Sequence, residues 1–100
     1  MRTELYVQMS FKWDPEKARL NLAKHGISFE FAQRVWDDPH VAFLLDRVID
    51  GEQRWHAIGL IGSAMIVVVV HTYPAGDDED HVRIISARKA TPSERRQYEQ

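Results

Sequence analysis

Five cationic side chains crowd the end of this chain. Between Val82 and Tyr98 stand Arg83, Arg88, Lys89, Arg95 and Arg96 against one carboxylate, Glu94. A guanidinium presents a planar fork of donors that matches phosphate oxygens, and a cluster of them can hold an RNA backbone and stabilise the extra charge on a phosphorus under attack. Lys24, His25 and Arg54 join that cluster if the first helix and the central strands meet it. Taken singly, each arginine has a plainer reading, solvated or paired with a carboxylate.

His25 stands where a first helix should end, and the helix dipole there favours an imidazolium that can donate a proton near neutral pH. Its structural alternative is to cap the last carbonyls of that helix. Tyr98 can stack on a base or donate its hydroxyl to a phosphate, or pack its ring beneath a sheet edge. His40, His56, His71 and His81 invite a metal reading, but no H-x-x-x-H or H-E-x-x-H spacing occurs, so no metal site and no cofactor is expected. There is no P-loop, no G-x-G-x-x-G and no G-x-S-x-G.

These residues sit in a chain of 100 residues, 44% hydrophobic and 28% charged, which is one domain's worth of core over residues 1–100. Thirteen Lys and Arg against fifteen Asp and Glu give a formal charge of -2, so attraction to a polyanion must come from a local patch. The absence of cysteine rules out disulfides, thiolate zinc sites and cysteine nucleophiles, and suits a reducing compartment. The first ten residues lack the apolar run of an export signal, so a cytoplasmic protein is expected. Residues 55–76 carry no Asp, Glu, Lys or Arg and approach the ~20 residues of a membrane span. His56, Gly59, Gly62-Ser63 and His71 interrupt them, and the β-branched run to Val70 favours a buried strand, so no membrane contact is expected.

Elements to position the cations follow from pattern and punctuation. Phe11-Lys12-Trp13 alternates as a short strand. Asp14-Pro15 reads as an N-cap and first helical residue, Ala18, Leu22 and His25 form a stripe, and Gly26 is a C-terminal αL residue, which predicts a helix over 15–25. Ser28 caps a second helix carrying Phe29, Ala32, Val35 and Trp36 that ends before Asp37-Asp38-Pro39. Strands are predicted over 41–45, 54–61, 65–73 and 82–87, with a two-residue turn at Gly62-Ser63, an acidic connection over 46–53, and a like-charge cluster at Asp77-Asp78-Glu79-Asp80. Thr91-Pro92-Ser93-Glu94 is a capping box that starts a short last helix over 92–98. The expected fold is α+β, with two N-terminal helices packed on a four-stranded antiparallel sheet and a short C-terminal helix. On a regular strand, Arg83 and Arg88 would point to opposite faces.

Two blocks, Lys24-His25-Gly26-Ile27-Ser28-Phe29-Glu30 and Arg83-Ile84-Ile85-Ser86-Ala87-Arg88-Lys89-Ala90-Thr91, flank Asp37-Asp38-Pro39 and Glu52-x-Arg54-Trp55, and the whole resembles the BrnT family of toxins over residues 11–99. Residues 1–10 lie outside the pattern, as a variable arm. The resemblance implies a type II toxin with a RelE-like fold that arrests growth by cutting RNA. It also implies a cognate BrnA-like antitoxin with a ribbon-helix-helix DNA-binding part, which reaches operator DNA on the toxin's behalf, a dimer within that complex being one arrangement. The loop from Pro74 to Asp80 departs from the family by its negative charge.

The resulting expectation is a metal-independent endoribonuclease. The substrate's 2′-hydroxyl attacks the adjacent phosphate, with His25, Arg83, Arg88 and Tyr98 as the catalytic set and Lys24, Arg54, Lys89 and Arg95 placing RNA. The alternative is a non-catalytic RNA- or protein-binding module that acts with its DNA-binding antitoxin as a co-repressor.

Overall fold

The computed structural model describes residues 9–100. In chain order the elements are β1 (Ser10–Lys12), α1 (Pro15–His25), α2 (Phe29–Ala32) continued by a 3-10 segment (Gln33–Asp37), β2 (Ala42–Ile49), β3 (Glu52–Ile61), β4 (Met65–Thr72), β5 (His81–Lys89) and α3 (Pro92–Tyr98). The strands form a single sheet of order β1-β5-β4-β3-β2. The fold is α+β, but the sheet is five-stranded and mixed, not four-stranded and antiparallel. The first strand joins as an edge beside the last, parallel to it, with Ser10, Phe11 and Lys12 opposite His81, Val82 and Arg83. A three-residue alternation cannot announce its partner. Parallel neighbours need a long crossover, and here residues 13–80 intervene.

The helix signals act as local chemistry dictates. The Asp14 side chain accepts from the Glu16 N–H at 2.8 Å, Pro15 occupies the first helical position, and Gly26 adopts φ 71° with its N–H on the Leu22 carbonyl. The inward residues of α1 are Ala18, Asn21 and His25, whereas Leu22 is half exposed. The buried polar Asn21 is what fastens this helix. Its amide donates to the carbonyls of Ile27 (3.1 Å) and Ala87 (2.9 Å), and its oxygen accepts from the Ala87 N–H at 3.1 Å. Asn21 thereby pairs the edge of β5 beyond the point where β1 stops. The second helix, expected to run evenly to Trp36, tightens after Ala32. That segment brings Val35 so close to β3 that a Cβ on Gly59 would lie 2.7 Å from Val35 Cγ1.

The connection expected over 46–53 is mostly strand. Asp50 and Gly51, at φ 52° and 78°, form a two-residue turn between Ile49 and Glu52, the geometry that Asp-Gly favours because its twist matches the flanking strands. In contrast, the turn placed at Gly62-Ser63 spans residues 62–64, with Ile61 opposite Met65.

Both faces of the sheet are apolar in part. Ile27, Phe29, Ala32 and Val35 of the helical half pack on Ala57, Val67, Val69, Val82 and Ile84, and fully burying each of the Val, Ile and Phe side chains contributes roughly 1.5–3 kcal/mol. On the other face Ile58, Ile66 and Val68 are covered by Ala90 and Tyr98 at the α3 end. Among the described residues, no further element covers the remainder of that second face.

Candidate functional site

The open half of the second face collects polar side chains. On β3, Glu52, Arg54 and His56 alternate with Gln53 and Trp55 and continue to Ile58 of the second core, so they share its face. On β5, Arg88 lies opposite Val68 of that same core, and Arg83 lies opposite Thr72. The expectation that Arg83 and Arg88 point to opposite faces fails at one residue. Val70 pairs with Ser86 and His71 with Ile84, which leaves Ile85 as an unpaired extra residue. A bulge of this kind resets strand parity, and it brings both arginines to the second face.

Both arginines are held by carboxylates, in different ways. Arg88 makes a two-pronged contact with Glu94, at 2.7 and 2.9 Å. Glu94 is also the capping-box acid of α3, accepting from the Thr91 N–H at 2.9 Å. The Arg88 guanidinium, aided by that N–H and opposed by burial, holds the Glu94 carboxyl down at about 2. This pair is a latch between β5 and α3. Arg83 instead ion-pairs with Glu52 across β4, and both side chains remain about one third exposed, at 37% and 35%. Among the described residues, the Glu52 carboxylate has no other hydrogen-bond partner.

Beside this pair lie two buried polar atoms without a partner among the described residues, Arg54 Nε and Thr72 Oγ1. Thr72 is opposite Arg83, and continuing the register from Trp55 and His71 sets Arg54 opposite Thr72. His56 stands two residues further along β3, its Nε2 3.5 Å from Asp46 Oδ2.

The remaining residues singled out from the sequence lie elsewhere. His25 and Lys89 line a groove of about 510 Å³ with Leu22, Ile27, Phe31 and Met65, on the helix-covered side at the far end of β5. Lys89 also borders a second groove of about 310 Å³ with Arg95. Lys89 lies opposite Val67 and Arg83 opposite Thr72, five steps of extended strand or roughly 17 Å apart. Lys24 is exposed on the last turn of α1. Thus the structure joins Arg54, Arg83 and Arg88 on one face and sets His25, Lys89 and Arg95 around the sheet end. Tyr98 takes the packing alternative: its ring covers the second core, and its hydroxyl donates to Asp38 Oδ2 at 2.5 Å. That bond, with burial, raises the Tyr98 phenol to about 12.

Asp38 is a junction that sequence reasoning treated only as a helix end. Its Oδ2 also accepts from the Leu60 N–H at 2.7 Å and its Oδ1 from the His40 N–H at 2.9 Å. Burial would raise its carboxyl, but these bonds outweigh it and lower it. That His56 shares a face with Arg54 was legible from their i, i+2 relation, which holds on any strand.

His71 faces the other way, into Trp36, Phe43 and Tyr73. Desolvation, opposed by the hydrogen bond to the Val69 carbonyl, lowers its imidazole to about 4. Since the Val69 carbonyl only accepts, Nδ1 carries the proton (3.2 Å), and Nε2 accepts from the Tyr73 hydroxyl (3.1 Å). It is a neutral core residue.

Among the described residues no cluster of three or more His, Asp or Glu is placed to hold a metal ion, and no helix is long and apolar enough to cross a membrane. A family model for the ribonuclease toxin BrnT of type II toxin–antitoxin systems matches residues 13–94. The chain belongs to the BrnT ribonuclease toxin family. The crystal structure of the ribonuclease toxin BrnT from Brucella abortus is similar, at 26% identity and TM-score 0.58, over 84% of this chain and 99% of that one. No curated protein sequence matches. Membership of a type II toxin–antitoxin family implies an antitoxin partner for this BrnT-family chain. The matched segment spans both the β3 residues Arg54 and His56 and the β5 arginines.

Proposed function

We propose that this BrnT-family toxin is a metal-independent endoribonuclease whose active face is the open half of the second sheet surface. The observation that carries this reading is the convergence of Arg54, His56 and Arg83 on that surface, made by alternation on β3 and by the bulge on β5. Arg83 and Arg54 bind the scissile phosphate and stabilise the charge that grows on its oxygens, as donors aimed at a developing oxyanion do. The 2′-hydroxyl of the RNA attacks the neighbouring phosphorus and the 5′-oxygen leaves, giving a 2′,3′-cyclic phosphate and a 5′-hydroxyl end. His56, oriented by Asp46, moves the proton. His25 loses that role in this mechanism because it opens on the other side of the sheet. Around it, Lys24, Lys89 and Arg95 provide a second cationic zone for flanking nucleotides, and Arg88 and Tyr98 act as structural anchors of α3. The partner fits a BrnA-like ribbon-helix-helix antitoxin that binds operator DNA for the complex.

The test is cleavage of RNA by the purified toxin in excess chelator, alone and in translating extract, with the ends analysed. Cyclic phosphate ends are expected, and His56→Ala should slow their formation by about 100-fold or more, the scale of general acid–base catalysis. Cleavage that stops on chelation, or that His56→Ala leaves unchanged, contradicts the mechanism.

A further inference from the structure

Arg83 and Arg88 are both paired with carboxylates, yet only one pair is built to stay closed. Glu94 is consumed by Arg88 and by the cap of α3. Glu52 serves no backbone group among the described residues, is about one third exposed, and meets Arg83 through side chains alone. An ion pair one third exposed in this way contributes little to stability and is readily exchanged. Immediately beside it, Arg54 Nε and Thr72 Oγ1 are each sealed from solvent with less than 1 Å² accessible and no acceptor. A buried donor left unpaired in this way is rare in folded proteins and calls for an explanation. Glu52 and Arg54 share a face of β3, and Thr72 and Arg83 are opposed on β4 and β5, so the pair and both orphaned atoms occupy one patch three strands wide.

We propose that the Glu52 carboxylate sits in the seat of an RNA phosphodiester. RNA enters by exchanging a phosphate for Glu52 on Arg83, and Arg54 Nε–H and the Thr72 hydroxyl then gain the acceptor they lack. The proposal rests on the active face described above and adds to its scissile-phosphate seat a further donor, Thr72, and a self-occluding side chain, Glu52. Both groups are anions with two or more acceptor oxygens in reach of one guanidinium, so each excludes the other. A toxin built this way holds single-stranded RNA weakly until several contacts are made together, because every binding event must first expel its own carboxylate.

The test separates binding from chemistry by using a short 2′-O-methyl RNA, which cannot be cleaved, titrated by fluorescence anisotropy at several salt concentrations. Glu52→Gln keeps the shape and removes the charge. It should bind this RNA about 10-fold tighter than the parent, with a log–log salt slope steeper by about 0.7, the increment for one more phosphate on a single strand. Thr72→Val, nearly isosteric, should weaken binding several-fold while leaving the melting temperature unchanged or raised, since it removes an unsatisfied hydroxyl. The inference is wrong if Glu52→Gln binds within twofold of the parent at an unchanged salt slope, or if Thr72→Val binds as well as the parent. Either result leaves the nuclease reading standing provided His56→Ala still slows cleavage by the expected factor. Conversely, a tighter Glu52→Gln with a parent that never cuts RNA would retain the subsite and overturn the nuclease.

Discussion

Arg83 and Arg88 project from the same face of β5 although they stand five positions apart, an odd offset that would oppose them on a regular strand, because Ile85 is bulged out of register. Their carboxylate partners divide the labour between them. Arg83 meets an exchangeable acid, Glu52, and Arg88 meets the acid that starts α3. This predicts opposite phenotypes for two superficially equivalent substitutions. Arg83→Ala should lose about 100-fold or more in RNA cleavage, the scale seen when an oxyanion donor is removed, with a near-parental melting temperature. Arg88→Ala should cost about 1–3 kcal/mol of stability by leaving Glu94 half-buried and unpaired, and should raise the pH at which Glu94 titrates. Parallel melting and cleavage assays distinguish the two, and a stable but inactive Arg88→Ala would reverse the assignment.

Stability should fall in mild acid. His71 titrates near 6.5 when unfolded and near 4 when folded, so between those values the unfolded chain binds a proton that the folded chain refuses. Stability is therefore complete above about 6.5 and declines as pH drops towards 4, by up to about 3 kcal/mol. Glu94 extends the decline: its stabilising charge is fully present above the ordinary 4.5 and is lost as pH falls towards about 2. Urea midpoints at pH 7, 6, 5 and 4 check the first window, and His71→Gln should flatten it. A midpoint constant from pH 7 to 5 would show that His71 is accessible to protons in the folded state.

Asn21→Ala should be among the most damaging single changes in α1, at about 2–4 kcal/mol. It deletes three hydrogen bonds and strands backbone groups of Ala87 and Ile27 in the interior. Asn21→Asp should be similarly poor, because a carboxylate cannot donate to either carbonyl. Chemical denaturation provides the values, and hydrogen exchange at the Ala87 N–H should accelerate in both variants.

Gly59→Ala tests the contact between the 3-10 segment and β3. A methyl group there meets Val35 Cγ1 at 2.7 Å and the Val35 carbonyl at 3.1 Å, and overpacking of this kind costs about 1–3 kcal/mol. The double variant Gly59→Ala with Val35→Ala should recover part of the loss relative to Gly59→Ala alone, which thermal melts can resolve. No recovery would mean that the backbone contact, not the side chain, is limiting.

The sequence by itself settled what is local. Asp14-Pro15, Gly26, Ser28 and the Thr91 capping box determine helix ends through bonds spanning two to four residues, and the β-branched run around Val67 to Val70 determines a buried strand. The blocks around His25 and Arg83 carried the family as well. What tertiary structure decided is every relation between distant residues. The parallel seat of β1 beside β5, the pairing of Arg83 with Glu52, and the placing of His25 on the other side of the sheet depend on strand order, which periodicity does not encode. One unpaired residue, Ile85, reversed the parity of half a strand, and with it the face on which an arginine stands. A side chain's direction accumulates along the backbone, so a single insertion in register changes it for all that follow, and no count of residue types can show where that insertion falls.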